Sequence, residues 1–219
     1  MMNRQELQII EAATNFAKER MAPLHSSHGW DHVERVASLA EKIAASEQAA
    51  DLFIVKTAAI LHDIARIDEV DSTGKNCHAE RGSRMAHEFL LSIGLEQHRA
   101  DKIRDCILSH RYRNDHHPES IEAKILYDAD KLDSIGAVGI GRAFLFSGEV
   151  GARLHNPDID VNLTEAYGKE DTAYREYLVK LRFIHDRMLT PEGRRLAEER
   201  HRFMVAFFER LQDEVKNLL

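Results

Sequence analysis

The sequence predicts an all-α protein, a single-domain helical bundle, on three observations. Apolar residues recur at spacings of three and four along nearly the whole chain, no convincing strand pair is found, and only 4 Pro and 11 Gly interrupt the 219 residues. The composition agrees: 43% apolar and 31% charged residues describe a globular chain able to bury a sizeable core, not a disordered or collagen-like one.

Residues 4 to 21 place Leu7, Ile10, Thr14, Ala17 and Met21 on one helical face, and residues 30 to 45 do the same with Val33, Val36, Ala37, Ala40 and Ile43. Residues 50 to 65 are apolar nearly all round, which predicts a helix in the middle of the bundle. The run from 79 to 93, through Ala86, Phe89, Leu90 and Ile93, stops at Gly94, a natural residue just past a helix C-terminus. Residues 96 to 110 carry Ile103, Cys106, Ile107 and His110 on one face; the polar stretch 111 to 120, with Pro118, reads as a loop. Helix returns over residues 121 to 134, after which Gly136, Gly139 and Gly141 allow close packing or a bend. Residues 147 to 162 form the longest non-helical connection, read as a surface loop with an active-site flap as the alternative. A helix is expected from about 170 to 188. Thr190 and Pro191 then open a long last helix striped with Leu196, Phe203, Phe207, Leu211 and Val215. A single domain 1–219 is expected, with a metal-binding core over about residues 25–145 and helices over 165–219 packed on it.

Thirty Lys and Arg against 37 Asp and Glu give a net charge of −7, which opposes non-specific binding to nucleic acid or anionic lipid. The first ten residues lack an apolar core of the signal-peptide kind, and no apolar run reaches membrane-spanning length, so a cytoplasmic protein is expected. Cys77 and Cys106 stand far apart without a CxxC pattern and read as two reduced thiols. The 13 His raise a metal question.

The chemistry lies in ionisable residues on apolar faces, where burial costs several kcal/mol unless compensated. His62 and Asp63 end the most apolar segment, in AAILHDIAR. Asp130, in ILYDADKLDSIG, shares a stripe with Ala123 and Leu126, and His32 follows His28 by one turn in HGWDHVERV. Two imidazoles and two carboxylates make a mixed nitrogen–oxygen site suited to a divalent transition metal or magnesium. Adjacent side chains on a helix diverge by about 100°, so the remaining ligands must come from other helices.

In this order, His32, His62-Asp63 and Asp130 resemble the signature of the HD-domain superfamily of metal-dependent phosphohydrolases. HGWDHVERV, ILHDIAR, SHRYR and DADKLDSIGAVGIGRAF, with the later YREYLVKL and TPEGRRLAEERHRFM, are similar to its small bacterial single-domain members. The resemblance implies one divalent ion (Mn, Mg, Fe, Co or Ni) held by His32, His62, Asp63 and Asp130, and hydrolysis of phosphate esters or anhydrides, nucleotides foremost. Asp63 and His110 are the expected proton acceptors. His28, Lys131, Arg142 and Lys180 are the expected substrate contacts, the partner being a small phosphorylated molecule rather than a membrane or nucleic acid, with a homodimer left open. Two alternatives remain: a di-iron oxygenase of the same fold, with a second iron on extra histidines such as His28 or His110, and a non-catalytic metal- or nucleotide-binding sensor. His78, His87, His98, His116, His117, His155, His185 and His201 are read as ordinary. His87-Glu88 fails the HExxH pattern because residue 91 is Leu.

Overall fold

A computed structural model describes residues 2–24, 29–71, 77–111, 116–156, 158, 160–166 and 168–216. Among them are helices α1 (Arg4–Met21), α2 (Trp30–Ala44), α3 (Leu52–Leu61), α4 (Arg66–Asp71), α5 (His78–Ser92), α6 (Gln97–Ser109), α7 (Ile121–Leu132), α8 (Gly136–Glu149), α9 (Ala173–Val179) and α10 (Pro191–Val215). No strand occurs among the described residues, so the all-α class holds. None of the described helices is long and apolar enough to cross a membrane.

Local chemistry sets the helix ends. The Asn3 side chain accepts from the Glu6 backbone N–H while the Glu6 carboxylate accepts from that of Asn3, a reciprocal cap on α1. Asp51 caps α3 by accepting from Phe53 N at 2.9 Å. At the end of α5, Gly94 adopts φ 85°, which lets Leu95 N reach Leu90 O and Gly94 N reach Leu91 O, both at 3.0 Å. Thr190 caps α10 through Gly193 N, with Pro191 at the first helical position.

The chain divides into two compact units, Met1–Asp130 and Lys131–Leu219. In the first, α3 packs against α1, α2 and α6, and α5 against α6. Phe53, Ile54, Val55, Ala58, Ala59 and Leu61 of α3 are all buried, as its all-round apolar sequence requires. Each such large side chain contributes about 1.5–3 kcal/mol through removal from water. In the second unit, α8 packs on α9 and α10.

Several expectations shift. The segment 50–65 is helical only to Leu61, and His62 and Asp63 occupy the turn that follows; α4 comes after that turn, without the periodicity that would have announced it. The glycine-bearing segment after residue 135 is the continuous helix α8. The expected helix over 170–188 breaks at Lys180, whose φ −142°, ψ −57° leaves the helical region, and short 3-10 turns at Leu181–Phe183 and His185–Arg187 replace the rest. The α10 stripe is rotated by one residue: Phe203 is 54% exposed and the helix buries Gly193, Ala197, Met204 and Phe208. On α1, Ile10, Ala17 and Met21 are buried as expected, while Leu7 is 53% exposed and Ile9 and Ala13 join the buried face.

Gly139 shows why α8 carries small residues. A Cβ there would lie 2.2 Å from Ser134 O and 3.2 Å from the Met204 side chain. Alanine ordinarily stabilises a helix over glycine by about 1 kcal/mol. Gly139→Ala is instead expected to destabilise the protein by about 3 kcal/mol, because backbone rather than a flexible side chain must yield. Urea denaturation measures it, and an unchanged or raised midpoint would contradict the packing.

Candidate metal centre

Five segments of the first unit bring six ionisable side chains together. His32 comes from the first turn of α2, His62 and Asp63 from the turn after α3, His78 from the first position of α5, His110 from the residue capping the C-terminus of α6, and Asp130 from α7. All are buried except Asp130, which is half-buried. Two sets of donor atoms result: His32, His62 and Asp130, and Asp63, His78 and His110, with ligand atoms in each set within 4.8 Å of one another. His62 Nε2 lies 3.2 Å from His32 Nε2, which lies 3.5 Å from Asp130 Oδ1. His78 Nε2 lies 3.2 Å from both His110 Nε2 and Asp63 Oδ1.

Asp63 belongs to both sets. Its Oδ2 is 3.6 Å from His32 Nε2 and 3.7 Å from His62 Nε2, while its Oδ1 faces His78 and, at 3.9 Å, His110. Burial works against ionisation of this carboxyl, but the neighbouring His62, His78 and His32 imidazoles and the Arg66 guanidinium outweigh it and hold it well below the usual carboxylate range.

The acceptors at Nδ1 assign the tautomers. His62 Nδ1 lies 2.7 Å from Ala59 O and His110 Nδ1 lies 2.5 Å from Ile107 O; a carbonyl only accepts, so both nitrogens carry hydrogen. His78 Nδ1 likewise donates to the Glu69 carboxylate. Burial pushes the His62 and His110 imidazoles down, His110 to about 3 with the neighbouring imidazoles adding to the effect, so both are neutral at pH 7. Their Nε2 lone pairs therefore point inward, toward His32 Nε2 and His78 Nε2 respectively. A cation satisfies this arrangement. An ion about 2.1 Å from each of six donors sets them roughly 3 to 4 Å apart, and the imidazole–carboxylate mixture suits a divalent transition metal. The C-terminal ends of α3 and α6, which supply His62 and His110, favour positive charge as well.

Glu69 on α4 is buried and receives three donors: His78 Nδ1 and Arg66 Nη1 (2.8 Å) at Oε2, and Arg111 Nη2 (2.6 Å) at Oε1. Burial raises its pKa, but the His78 hydrogen bond and the two guanidinium groups prevail and bring it down to about 2.

The structure thus brings His32, His62, Asp63, Asp130 and His110 together. It adds His78, which the sequence reading had given an ordinary role: as the first residue of a helix behind Cys77 it sits on no periodic stripe. The available signal was positional, since His62, His78 and His110 all stand at helix ends. His28 lies outside the described residues. Arg142 Nη1 pairs with the buried Asp133 at 2.9 Å and Lys180 with Glu176 at 2.7 Å; Lys131 is buried next to Asp130 in the chain. Cys106 is buried and its thiol pushed up to about 12 by burial and nearby Glu122, so it is inert as a nucleophile.

The HD domain family profile matches residues 29–135. The chain is 36% identical over 217 residues to the uncharacterized protein YpgQ of Bacillus subtilis, covering 97% of each. It is similar to the crystal structure of that protein in complex with ADP, with 33% identity, a TM-score of 0.75 and 96% of each chain covered. A crystal structure of an HD-superfamily hydrolase from Bacillus thuringiensis is similar at 28% identity and a TM-score of 0.74, covering 96% of this chain and 98% of that one.

Proposed function

Because the chain belongs to the HD-domain superfamily, we propose that it is a metal-dependent phosphohydrolase acting on phosphate esters or anhydrides of nucleotides. The observation that carries the reading is the convergence of the Nε2 atoms of His32, His62, His78 and His110 on the Asp63 and Asp130 carboxylates, in two sets whose donor atoms lie within 4.8 Å of one another. The nucleotide class rests on the ADP bound by the similar Bacillus subtilis protein.

The donors favour two ions over one. His32, His62 and Asp130 would hold the first, His78 and His110 the second, with Asp63 supplying one oxygen to each. Bound divalent ions supply Lewis acidity toward a phosphoryl oxygen and make water a competent nucleophile near neutral pH. The chain's part is to fix the donors in a buried cluster so that they need not reorganise during reaction. Asp63 is the proposed acceptor for the proton released by attacking water; His110, with Nδ1 committed to Ile107 O, takes that role only where its Nε2 holds no ion. His28, Lys131, Arg142 and Lys180 remain the proposed phosphate contacts. Arg142 and Lys180 would have to exchange Asp133 and Glu176 for the substrate.

The test is a screen of the protein loaded in turn with Mn, Mg, Fe, Co and Ni against nucleoside mono-, di- and triphosphates and non-nucleotide phosphate esters. Phosphate and pyrophosphate release are both read. Pyrophosphate release assigns anhydride cleavage; phosphate alone from monophosphates assigns ester cleavage. A two-ion centre would also serve the di-iron oxygenase alternative, so metal counting does not separate the two. Oxygen-dependent turnover by the iron-loaded protein without phosphate release would overturn the hydrolase reading, and nucleotide binding with no turnover across the panel would favour the sensor.

A further inference from the structure

The imidazoles of His62, His78 and His110 are not held alike. His62 and His110 donate to carbonyls of their own helices, Ala59 O and Ile107 O. His78, as the first residue of α5, has no preceding helical turn to supply a carbonyl, and a side chain from another element takes that place: Glu69 Oε2. Glu69 is 5% exposed and is itself gripped from both sides, by Arg66 at Oε2 and Arg111 at Oε1. Arg66 follows Asp63 by three residues and Arg111 follows His110 directly. The network therefore ties the turn after α3, α4, the start of α5 and the end of α6 around one carboxylate.

We propose that Glu69 is the positioning residue of the second donor set, fixing the His78 ring so that Nδ1 carries the proton and Nε2 faces Asp63 and His110. An ionised carboxylate can only accept, so it admits one tautomer of its partner, and the rotation that satisfies it turns the other nitrogen inward. The two guanidinium groups balance the negative charge, so Glu69 orients His78 without drawing the proton away from it. Arg66 Nη1, 3.2 Å from His78 Nδ1, points at the same oxygen and closes off that side of the ring. The role in metal binding rests on the two-ion reading; the control of the tautomer does not.

The experiment has two arms. In metal-free protein, two-bond nitrogen–proton NMR of histidine-labelled samples is expected to find His78 in the Nδ1–H form in the wild type and a mixture of tautomers in Glu69→Ala. In the second arm, calorimetric titration with manganese is expected to show two equivalents for the wild type. Glu69→Ala should weaken one of them by about 10- to 100-fold and leave the other unchanged. Glu69→Gln, which keeps the size and a carbonyl acceptor, is expected to restore the tautomer and most of the weakened equivalent, and it serves if the alanine variant folds poorly. An unchanged His78 tautomer in Glu69→Ala would overturn the proposal, as would equal weakening of both equivalents or a glutamine variant no better than alanine. Wild-type protein that binds no manganese would count against the two-ion reading alone, with the NMR arm still deciding the role of Glu69.

Discussion

Asp63→Ala is expected to lower kcat/KM by about 10³-fold or more, which corresponds to at least about 4 kcal/mol of lost transition-state stabilisation. The effect is large because one carboxylate serves both donor sets, Oδ2 toward His32 and His62 and Oδ1 toward His78 and His110. Its removal leaves the second set with two imidazoles and no anion, and the first with Asp130 alone to balance a dication. Asp130→Ala is the informative comparison. It removes the carboxylate that serves the first set alone and leaves Asp63 in place, so it is expected to cost one metal equivalent where Asp63→Ala costs both. Steady-state kinetics with metal analysis of the same samples measures this. Full activity and full metal content in Asp63→Ala would contradict the assignment, and equal metal loss in the two variants would contradict a shared carboxylate.

Periodicity made most of the helices legible, because each buries an apolar stripe; α1 and α10 even begin where Asn3 and Thr190 can cap them. It failed where burial is one-sided or short. In α10, Phe203 and Phe208 are both aromatic and only the second is buried, which a stripe drawn one residue off cannot distinguish. α4, with the sequence RIDEVD, buries a glutamate for an electrostatic reason and carries no apolar period. At the candidate site, His62 and Asp63 were visible because ionisable groups are conspicuous at the end of an apolar segment. His78 and Glu69 were not, because their burial depends on each other and on Arg66 and Arg111, contacts that span three to 42 residues of sequence. On α7 the sequence pointed to Asp130; the structure buries Asp128 and Asp133 even more fully.

Removal of the metal should abolish turnover and leave a protein whose stability falls steeply in acid. The sign follows from the histidines. In the folded metal-free chain His110 is held near 3 and His62 is also lowered, whereas in the unfolded chain both titrate near the ordinary 6.5. As pH drops from 6.5 toward 3 the unfolded state takes up protons that the folded state refuses. Stability is therefore complete above about 6.5 and is lost progressively below it, by a few kcal/mol on an order-of-magnitude basis. Glu69 acts in the same direction at lower pH: its contribution is full above about 4.5 and is lost as pH falls through about 2. Bound ions oppose the loss by occupying the nitrogens, and saturation at about 100 times Kd stabilises by about 2.7 kcal/mol, or roughly 5 to 10 °C in Tm for a chain of this size. Thermal melts of chelated and manganese-loaded protein between pH 7 and 4 are thus expected to show a steep decline for the chelated form. The gap between the two forms should narrow again where protons outcompete metal for the imidazoles. Turnover surviving exhaustive chelation, or a metal-free Tm independent of pH across that range, would show that the inward imidazoles are not organised around a cation.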